Sequence, residues 1–170
     1  AGSQSRPTSD DNACVKQPRR LRRLTTIHQR RPVFFMTICT AQRQHLLANP
    51  EVHSLFAAFS KASPEKANIS VGKYVLMPDH IHVFVAADGS AALSRWVGSL
   101  KKYLASHWRT QGMTGPFWQE GFFDHVMRSE ESMSEKWLYV HENPVRAELV
   151  QDAAEWQFAG QICEVCVEND

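Results

Sequence analysis

One helical segment limits the possible folds of this chain more than any other feature. Between Ala91 and Arg109 the apolar residues recur at intervals of three and four positions, which predicts an amphipathic helix that ends before Gly112. The apolar stripe consists of Leu93, Trp96, Val97, Leu100, Leu104 and Trp108. Because a helix with one apolar face buries that face against a second layer, the rest of the chain must supply such a layer.

Four β-prone segments can form the second layer as a sheet. They cover residues 33–40, 69–76, 80–86 and 122–127. Two further helices are predicted, one over residues 50–63 and one over residues 130–141. The short connection Met77-Pro-Asp79 indicates antiparallel neighbours. The order of these elements predicts an α+β fold, a ferredoxin-like antiparallel sheet with helices mainly on one face.

Length and composition are those of one ordinary domain. The chain has 170 residues, of which 43% are hydrophobic, enough to bury a core without disulfides. We expect a single domain over residues 19–160, preceded by a disordered segment, 1–18, and followed by an acidic tail, 161–170. The sequence has no apolar run of membrane-spanning length and no signal peptide, so a cytoplasmic protein with free cysteines is expected. Cys163 and Cys166 have the spacing of half a zinc knuckle or a redox pair, but no second pair accompanies them.

Charge is distributed unevenly along the chain. Residues 1–31 hold eight Lys or Arg against two Asp, a net charge of +6, whereas residues 120–170 hold three against twelve acidic residues, a net charge of −9. A basic arm suits nucleic acid, although a solvated tail explains it equally well. The candidates for phosphate contact are Arg19, Arg20, Arg22, Arg23, Arg30, Arg31, Arg95, Lys102 and Arg146. We hypothesise that the acidic tail masks the basic surface.

Two histidines in one predicted strand form a candidate metal site. Because strand side chains alternate, His80 and His82 point to one face and Ile81 to the other, which lets two imidazoles share a cation. Two hydrogen-bonded histidines at a sheet edge are the plain alternative.

The long helix carries a further candidate pair. Tyr103 and His107 are four residues apart on one helical face, at the border of the apolar stripe. His107 would complete a three-histidine site, and Tyr103 would then lie beside a bound phosphate. The alternative is that Tyr103 is an amphipathic boundary residue with its hydroxyl group in water.

Four aromatic residues near the predicted last strand offer stacking planes for unpaired bases, although core packing is the commoner role for aromatic side chains. They are Phe117, Trp118, Phe122 and Phe123.

Four sequence blocks together resemble one known family. The blocks are Val75-Leu-Met-Pro-Asp-His-Ile-His-Val-Phe84, Leu100-Lys-Lys-Tyr103, Phe117-Trp-Gln-Glu-Gly-Phe-Phe-Asp-His-Val-Met-Arg128 and Tyr139-Val-His-Glu-Asn-Pro-Val-Arg-Ala-Glu-Leu-Val150. In this order they resemble the REP-associated tyrosine transposases, relatives of the single-tyrosine transposases of small bacterial insertion sequences. The resemblance implies the HUH endonuclease fold and cleavage of single-stranded DNA hairpins from palindromic repeats through a 5′-phosphotyrosine intermediate.

The resemblance also assigns roles to particular residues. It makes His80 and His82 metal ligands and Tyr103 the nucleophile, and it puts His107 where relatives carry a third polar ligand, commonly Gln or Asn. The implied cofactor is Mg²⁺ or Mn²⁺, and a histidine ligand shifts the preference towards Mn²⁺. Family members act either as monomers with the tyrosine in cis or as homodimers with the tyrosine in trans.

Three other interpretations stay open at this level. The first is another HUH nuclease, such as a replication initiator or plasmid relaxase, which lacks the Asn143–Ala147 block. The second is a domesticated relative that binds hairpin DNA without cutting it. The third is a ferredoxin-like RNA-binding or metal-binding protein, which has no need of a tyrosine four residues before a histidine.

Overall fold

The computed structural model describes residues 31–167 and has an α+β architecture. The five strands are β1 (Val33–Cys39), β2 (Ser70–Leu76), β3 (His80–Ala86), β4 (Phe123–Val126) and β5 (Ala159–Gln161). The helices are α1 (Pro50–Lys61), α2 (Ser63–Ala67), α3 (Ser90–Thr110), α4 (Glu130–His141) and α5 (Asn143–Arg146). Single 3-10 turns cover Ala41–Arg43 and Ala153–Glu155. In the described part of the chain, no helix is both long and apolar enough to cross a membrane.

The strands form one antiparallel sheet with the order β4-β1-β3-β2-β5, so β3 is the central strand. One face of the sheet is covered by α1 and α3, which bury a large apolar core against it. Ile81, Val83 and Val85 point from β3 into this core. Two of the three long helices therefore lie on one face, which confirms the expected ferredoxin-like arrangement.

The second face of the sheet is covered by α4. Phe84 and Met127 form one small apolar cluster there, against which Trp137 of α4 packs. Val75, Met77 and Val140 form another near the end of α4. A capping box between Ser129 and Ser132 fixes the start of this helix. Alternation along β3 therefore separates the residues that meet α1 and α3 from those that face α4.

Some sequence expectations differ from the structure. The helix predicted over residues 50–63 is α1, which ends at Lys61. The chain then turns at Ala62 into α2, a short helix with Pro64 in its first turn that the sequence did not predict. The boundary expected at residue 160 falls inside β5, which the sequence analysis did not predict. Beyond β5, Cys163 donates its backbone N–H to the Val71 carbonyl, and Val165 packs beside Phe84. Residues 161–167 are thus part of the domain rather than a separate acidic tail, and residues 1–30 and 168–170 lie outside the described part.

Candidate active site

The histidines of β3 converge on one point. The Nε2 atoms of His80 and His82 are 3.1 Å apart, and the two rings are nearly perpendicular, at 81°, with centroids 4.6 Å apart. Both side chains point to the face of the sheet that α4 covers, because Ile81 between them points into the opposite core. The paired imidazoles thus lie at the start of the central strand.

Neighbouring side chains hold the outer nitrogen of each ring. Nδ1 of His80 donates to Oδ1 of Asp79 at 2.6 Å, and Nδ1 of His82 is hydrogen-bonded to Oγ1 of Thr37 at 2.9 Å. Arg43 in turn holds the other oxygen of Asp79, with Nε 3.1 Å away. Such bonds fix ring orientation and leave the Nε2 atoms for a ligand.

This geometry fits a shared cation. A ring whose Nδ1 carries the hydrogen has its lone pair on Nε2, so in the tautomers with hydrogen on both Nδ1 atoms the two lone pairs point into one space. Two imidazole nitrogens about 2.1 Å from one ion stand roughly 3 Å apart when the angle at the ion is near 90°. His80 and His82 match that spacing at 3.1 Å. In residues 31–167, however, no group of three or more His, Cys, Asp or Glu side chains surrounds one such point.

The surroundings keep both imidazoles neutral. Burial, with smaller contributions from the nearby charges of His80, Lys136, Arg43 and Arg146, lowers the pKa of His82 to about 3. Burial also lowers the pKa of His80, although the Asp79 carboxylate partly opposes this shift. Neutral imidazole is the form that binds metal ions, so both rings are ready to bind at neutral pH.

Helix α4 closes over the same face. The Phe35 ring stacks on His82 with centroids 5.4 Å apart, and Lys136 of α4 lies 5.4 Å from the Phe35 centroid. Trp137 packs against both Phe84 and His141, with centroid distances of 6.4 and 5.1 Å. Val140 packs with Val75, and Val75 is paired with His82 in the sheet, so this end of α4 lies near the histidine pair.

Tyr139 is the one tyrosine that this helix carries. Its side chain is 61% exposed, and the Arg146 guanidinium lies over its ring, 4.0 Å from the centroid. Arg146 also donates to the Tyr139 carbonyl and to Oδ1 of Asn143. Tyr74, by contrast, is buried in the opposite core and hydrogen-bonded to His53. Tyr139 is thus an accessible phenol, beside a cation, on the histidine side of the sheet.

The structure does not bring Tyr103 or His107 to the histidine pair, which corrects the expected arrangement. Both lie on α3, which packs on the other face of the sheet. The Tyr103 ring lies 5.4 Å from Phe59 of α1, and Nε2 of His107 lies 3.7 Å from Oε2 of Glu51. The reason is the alternation of β3: the residue that faces α3 is Ile81, so the histidines on either side of it face away.

Comparison with known proteins identifies the family. The family model for IS200-like transposases matches residues 33–143, well over half of the chain, from the first residue of β1 to the first of α5. This chain belongs to the IS200-like transposase family. The matched region of this transposase-family chain includes His80, His82 and Tyr139.

Two solved structures align with this IS200-like chain. A REP-associated tyrosine transposase bound to a REP hairpin is similar, with a TM-score of 0.63 and 22% identity over 77% of each chain. A Deinococcus radiodurans R1 protein described as a transposase aligns with a TM-score of 0.47 and 16% identity, over 69% of this chain and 94% of that chain. No curated protein sequence matches significantly. The first similarity supports the same five-stranded α+β fold.

The basic residues expected at the DNA are not gathered at the candidate site. Arg31 pairs with Asp88 at 3.0 Å and is only 9% exposed, at the end of β1 remote from His80. Arg95 and Lys102 lie on α3, on the opposite face of the sheet. Arg146 is the member of this set that lies beside Tyr139. The remaining candidates, Arg19, Arg20, Arg22, Arg23 and Arg30, lie outside the described residues.

The four candidate stacking residues also separate. Phe117 is buried against Trp108, and Trp118 and Phe122 pack on the same core. Phe123 is 67% exposed.

Tyr139 was not among the site residues predicted from the sequence. The apolar stripe of α4 is weak and does not indicate which of its residues lie near the histidines. One signal was available, because the spacing from Tyr139 to Asn143 repeats the four-residue spacing between Tyr103 and His107.

Proposed function

We propose that this protein cleaves and rejoins single-stranded DNA with Tyr139 as its nucleophile. The observation that carries the proposal is the placement of Tyr139 on the helix that covers the converging His80 and His82 rings. A phenol, two neutral imidazoles and a guanidinium on one face form a set suited to phosphodiester chemistry. Membership of the IS200-like family supports the same reaction class.

His80 and His82 are the proposed ligands of a divalent cation, Mg²⁺ or Mn²⁺. An all-imidazole pair favours Mn²⁺, since Mg²⁺ prefers oxygen ligands. Such an ion, when bound, supplies positive charge that polarises a phosphate oxygen and favours loss of the phenolic proton. Asn143 lies four residues beyond Tyr139, the spacing at which the resemblance expects a third polar ligand. Its amide oxygen is our candidate for that ligand in place of His107, and to bind the ion it would exchange or share its present bond from Arg146.

In the proposed cleavage step, one bond to the scissile phosphorus forms as another breaks. The phenolic oxygen of Tyr139 bonds to the scissile phosphorus while the bond from phosphorus to the 3′ oxygen breaks. The 3′ oxygen gains a proton in place of the one that the phenol loses. Arg146, 4.0 Å above the Tyr139 ring, is positioned to neutralise phosphate charge. Attack by a 3′-hydroxyl then re-forms a phosphodiester and releases Tyr139, which requires no other energy source.

The proposed substrate is a REP-type DNA hairpin with an unpaired extension. Two observations support it: the similar solved transposase holds a REP hairpin, and the Asn143–Ala147 block resembles that branch. Because the Tyr139 helix packs on the histidine face of its own chain, we propose that the nucleophile acts in cis. A monomer is then sufficient for the chemistry.

The test is formation of a covalent protein–DNA product. Labelled hairpins from the repeats around the gene, with unpaired extensions, are incubated with Mn²⁺ or Mg²⁺ and separated on a denaturing gel. We expect a protein-linked band that a chelator removes and that Tyr139→Phe abolishes. Tyr103→Phe is the matched control and keeps the band, because Tyr103 lies on the other face.

Two results would overturn the proposal. A band that survives Tyr139→Phe and disappears with Tyr103→Phe would return the nucleophile to α3. Tight hairpin binding by the wild-type protein without any covalent product would instead identify a binding protein that does not cleave.

A further inference from the structure

One exposed aromatic residue lies in line with the histidine pair. Strand β4 pairs with β1 so that Phe123 is opposite Thr37, and Thr37 is opposite His82 on β3. Directly opposed residues in an antiparallel sheet point to the same face. The hydrogen bond from Thr37 to His82 shows that this face is the one that carries the histidines.

Alternation along β4 supports the same orientation. Met127 is buried on the α4 side, and positions 123 and 125 share its face by the two-residue period of a strand. Phe122 packs against the opposite core. Phe123 therefore stands on the histidine face, at the edge of the sheet.

The exposure of Phe123 is not explained by packing. At 67% it is the most exposed of the large apolar side chains in the described residues, on a strand whose four residues are all exposed. Leaving a phenyl ring in water forfeits about 2 kcal/mol of burial energy. An exposed aromatic ring beside a polar site offers a face on which an unpaired base can stack. Lys136, over the neighbouring Phe35 ring, adds positive charge to the same surface.

We propose that Phe123 is the stacking platform for an unpaired base next to the scissile phosphate. This inference rests on the proposed function and names a contact for its substrate. Adjacent strands are about 4.8 Å apart, so Phe123 lies roughly 10 Å from His82 across β1. That distance equals about three stacked nucleotides at 3.4 Å each. The base on Phe123 therefore belongs to one of the first three nucleotides from the cleavage point.

The test combines protein variants with abasic DNA. The probes are the REP-type hairpins described above, with a single abasic site moved through the three unpaired nucleotides on each side of the cleavage point. Affinity is measured with Tyr139→Phe protein, so that cleavage does not interfere. We expect Phe123→Ala to weaken binding by about 5- to 150-fold, the loss typical of one base–aromatic stack, and Phe123→Trp to retain it.

The decisive result is non-additivity at one position. With the abasic site at the stacked nucleotide, Phe123→Ala should cause no further loss, whereas at the other positions the losses multiply. Val126→Ala is the matched control, since Val126 is exposed on the other face of the same strand and should not change binding.

Other outcomes would overturn the proposal for Phe123 without bearing on the proposed role of Tyr139. Unchanged affinity in Phe123→Ala, or losses that multiply at every position, would exclude stacking. Conversion of a dimer to a monomer by Phe123→Ala, measured by light scattering, would assign the ring to an interface between copies. Because covalent product is scored separately with Tyr139 intact, failure of Phe123 to stack and failure of Tyr139 to cleave are distinguished. Absence of any hairpin binding would overturn both.

Discussion

His82 illustrates how a core position can prepare a metal ligand. Its ring is packed under Phe35, its Nδ1 is bonded to Thr37, and its Nε2 faces that of His80. Burial is the main reason that its pKa falls to about 3, and nearby positive charges add to the effect. The His82 ring therefore does not bind a proton at neutral pH, but its free nitrogen can still bind a metal ion.

We predict that His82 stays neutral in the metal-free protein at pH 5. An unfolded histidine titrates near 6.5, so between about pH 6.5 and 3 the unfolded state binds a proton that the folded state does not. The free energy of unfolding should therefore fall with decreasing pH in that window, by at most about 1.4 kcal/mol per pH unit from this residue. Above pH 6.5, where His82 is neutral in both states, its titration should no longer change the free energy of unfolding.

Ring-nitrogen NMR in the presence of a chelator checks this prediction, with the His82 signal assigned by its loss in His82→Gln. Urea unfolding at pH 5 and pH 7 gives the energetic part. The drop in stability between these pH values should be smaller in His82→Gln than in the wild-type protein. A His82 signal that titrates near pH 6.5 would contradict the prediction.

At the scale of elements, the order of strands and helices was predictable from sequence, but the face on which each helix packs was not. The period of α3 and the alternation of β3 identified both elements almost to the residue. Neither pattern states which side of the sheet a helix covers, so Tyr103 was assigned to the histidines although it contacts Phe59. β5 was missed because Ala159–Gln161 has no β-branched or aromatic residue.

The link between α3 and β4 is held by one lysine side chain. Nζ of Lys101 donates to the carbonyls of Gln119 and Gly121, at 2.8 and 2.5 Å, and its own carbonyl accepts from Trp118. These bonds position the chain that leads into β4. The Lys101 side chain therefore gives two loop carbonyls the hydrogen-bond donor that a neighbouring strand would otherwise provide.

We predict that Lys101→Met lowers the free energy of unfolding by about 1–2 kcal/mol, because two carbonyls lose a charged donor. Lys102→Met is the control, since Lys102 is exposed, and should change stability by less than about 0.5 kcal/mol. Urea denaturation with a constant m-value measures both. Equal effects of the two substitutions would show that the Lys101 contacts add no stability.

At the scale of the whole molecule, the last described residues are held on the sheet by a close approach. A Cβ placed on Gly72 would meet Cγ2 of Val165 at 2.4 Å, nearer than atoms can pack. Val165 also packs beside Phe84, and Val167 donates its N–H to Glu130 at the start of α4. Residues 165–167 thus lie between β2 and α4, the helix that bears Tyr139.

We predict that Gly72→Ala destabilises the protein by about 1–3 kcal/mol through this overlap. In a Val165→Ala background the same substitution should cost less, because the overlapping methyl group is gone. Thermal and urea unfolding of the two single variants and the double variant form the cycle. Strictly additive losses would mean that the segment does not hold this position in solution.

The proposed nucleophile and the histidine pair lie at different depths in the fold. The histidines stand on the central strand of the sheet, whereas the Tyr139 side chain projects from a surface helix and is 61% exposed. Losing an exposed side chain usually shifts folding by no more than about 0.5 kcal/mol. One codon change at position 139 would therefore abolish the cleavage proposed above in a descendant that still folds. A DNA-cutting protein with this arrangement can in this way become one that only binds DNA in a single step, with no unstable intermediate for selection to remove.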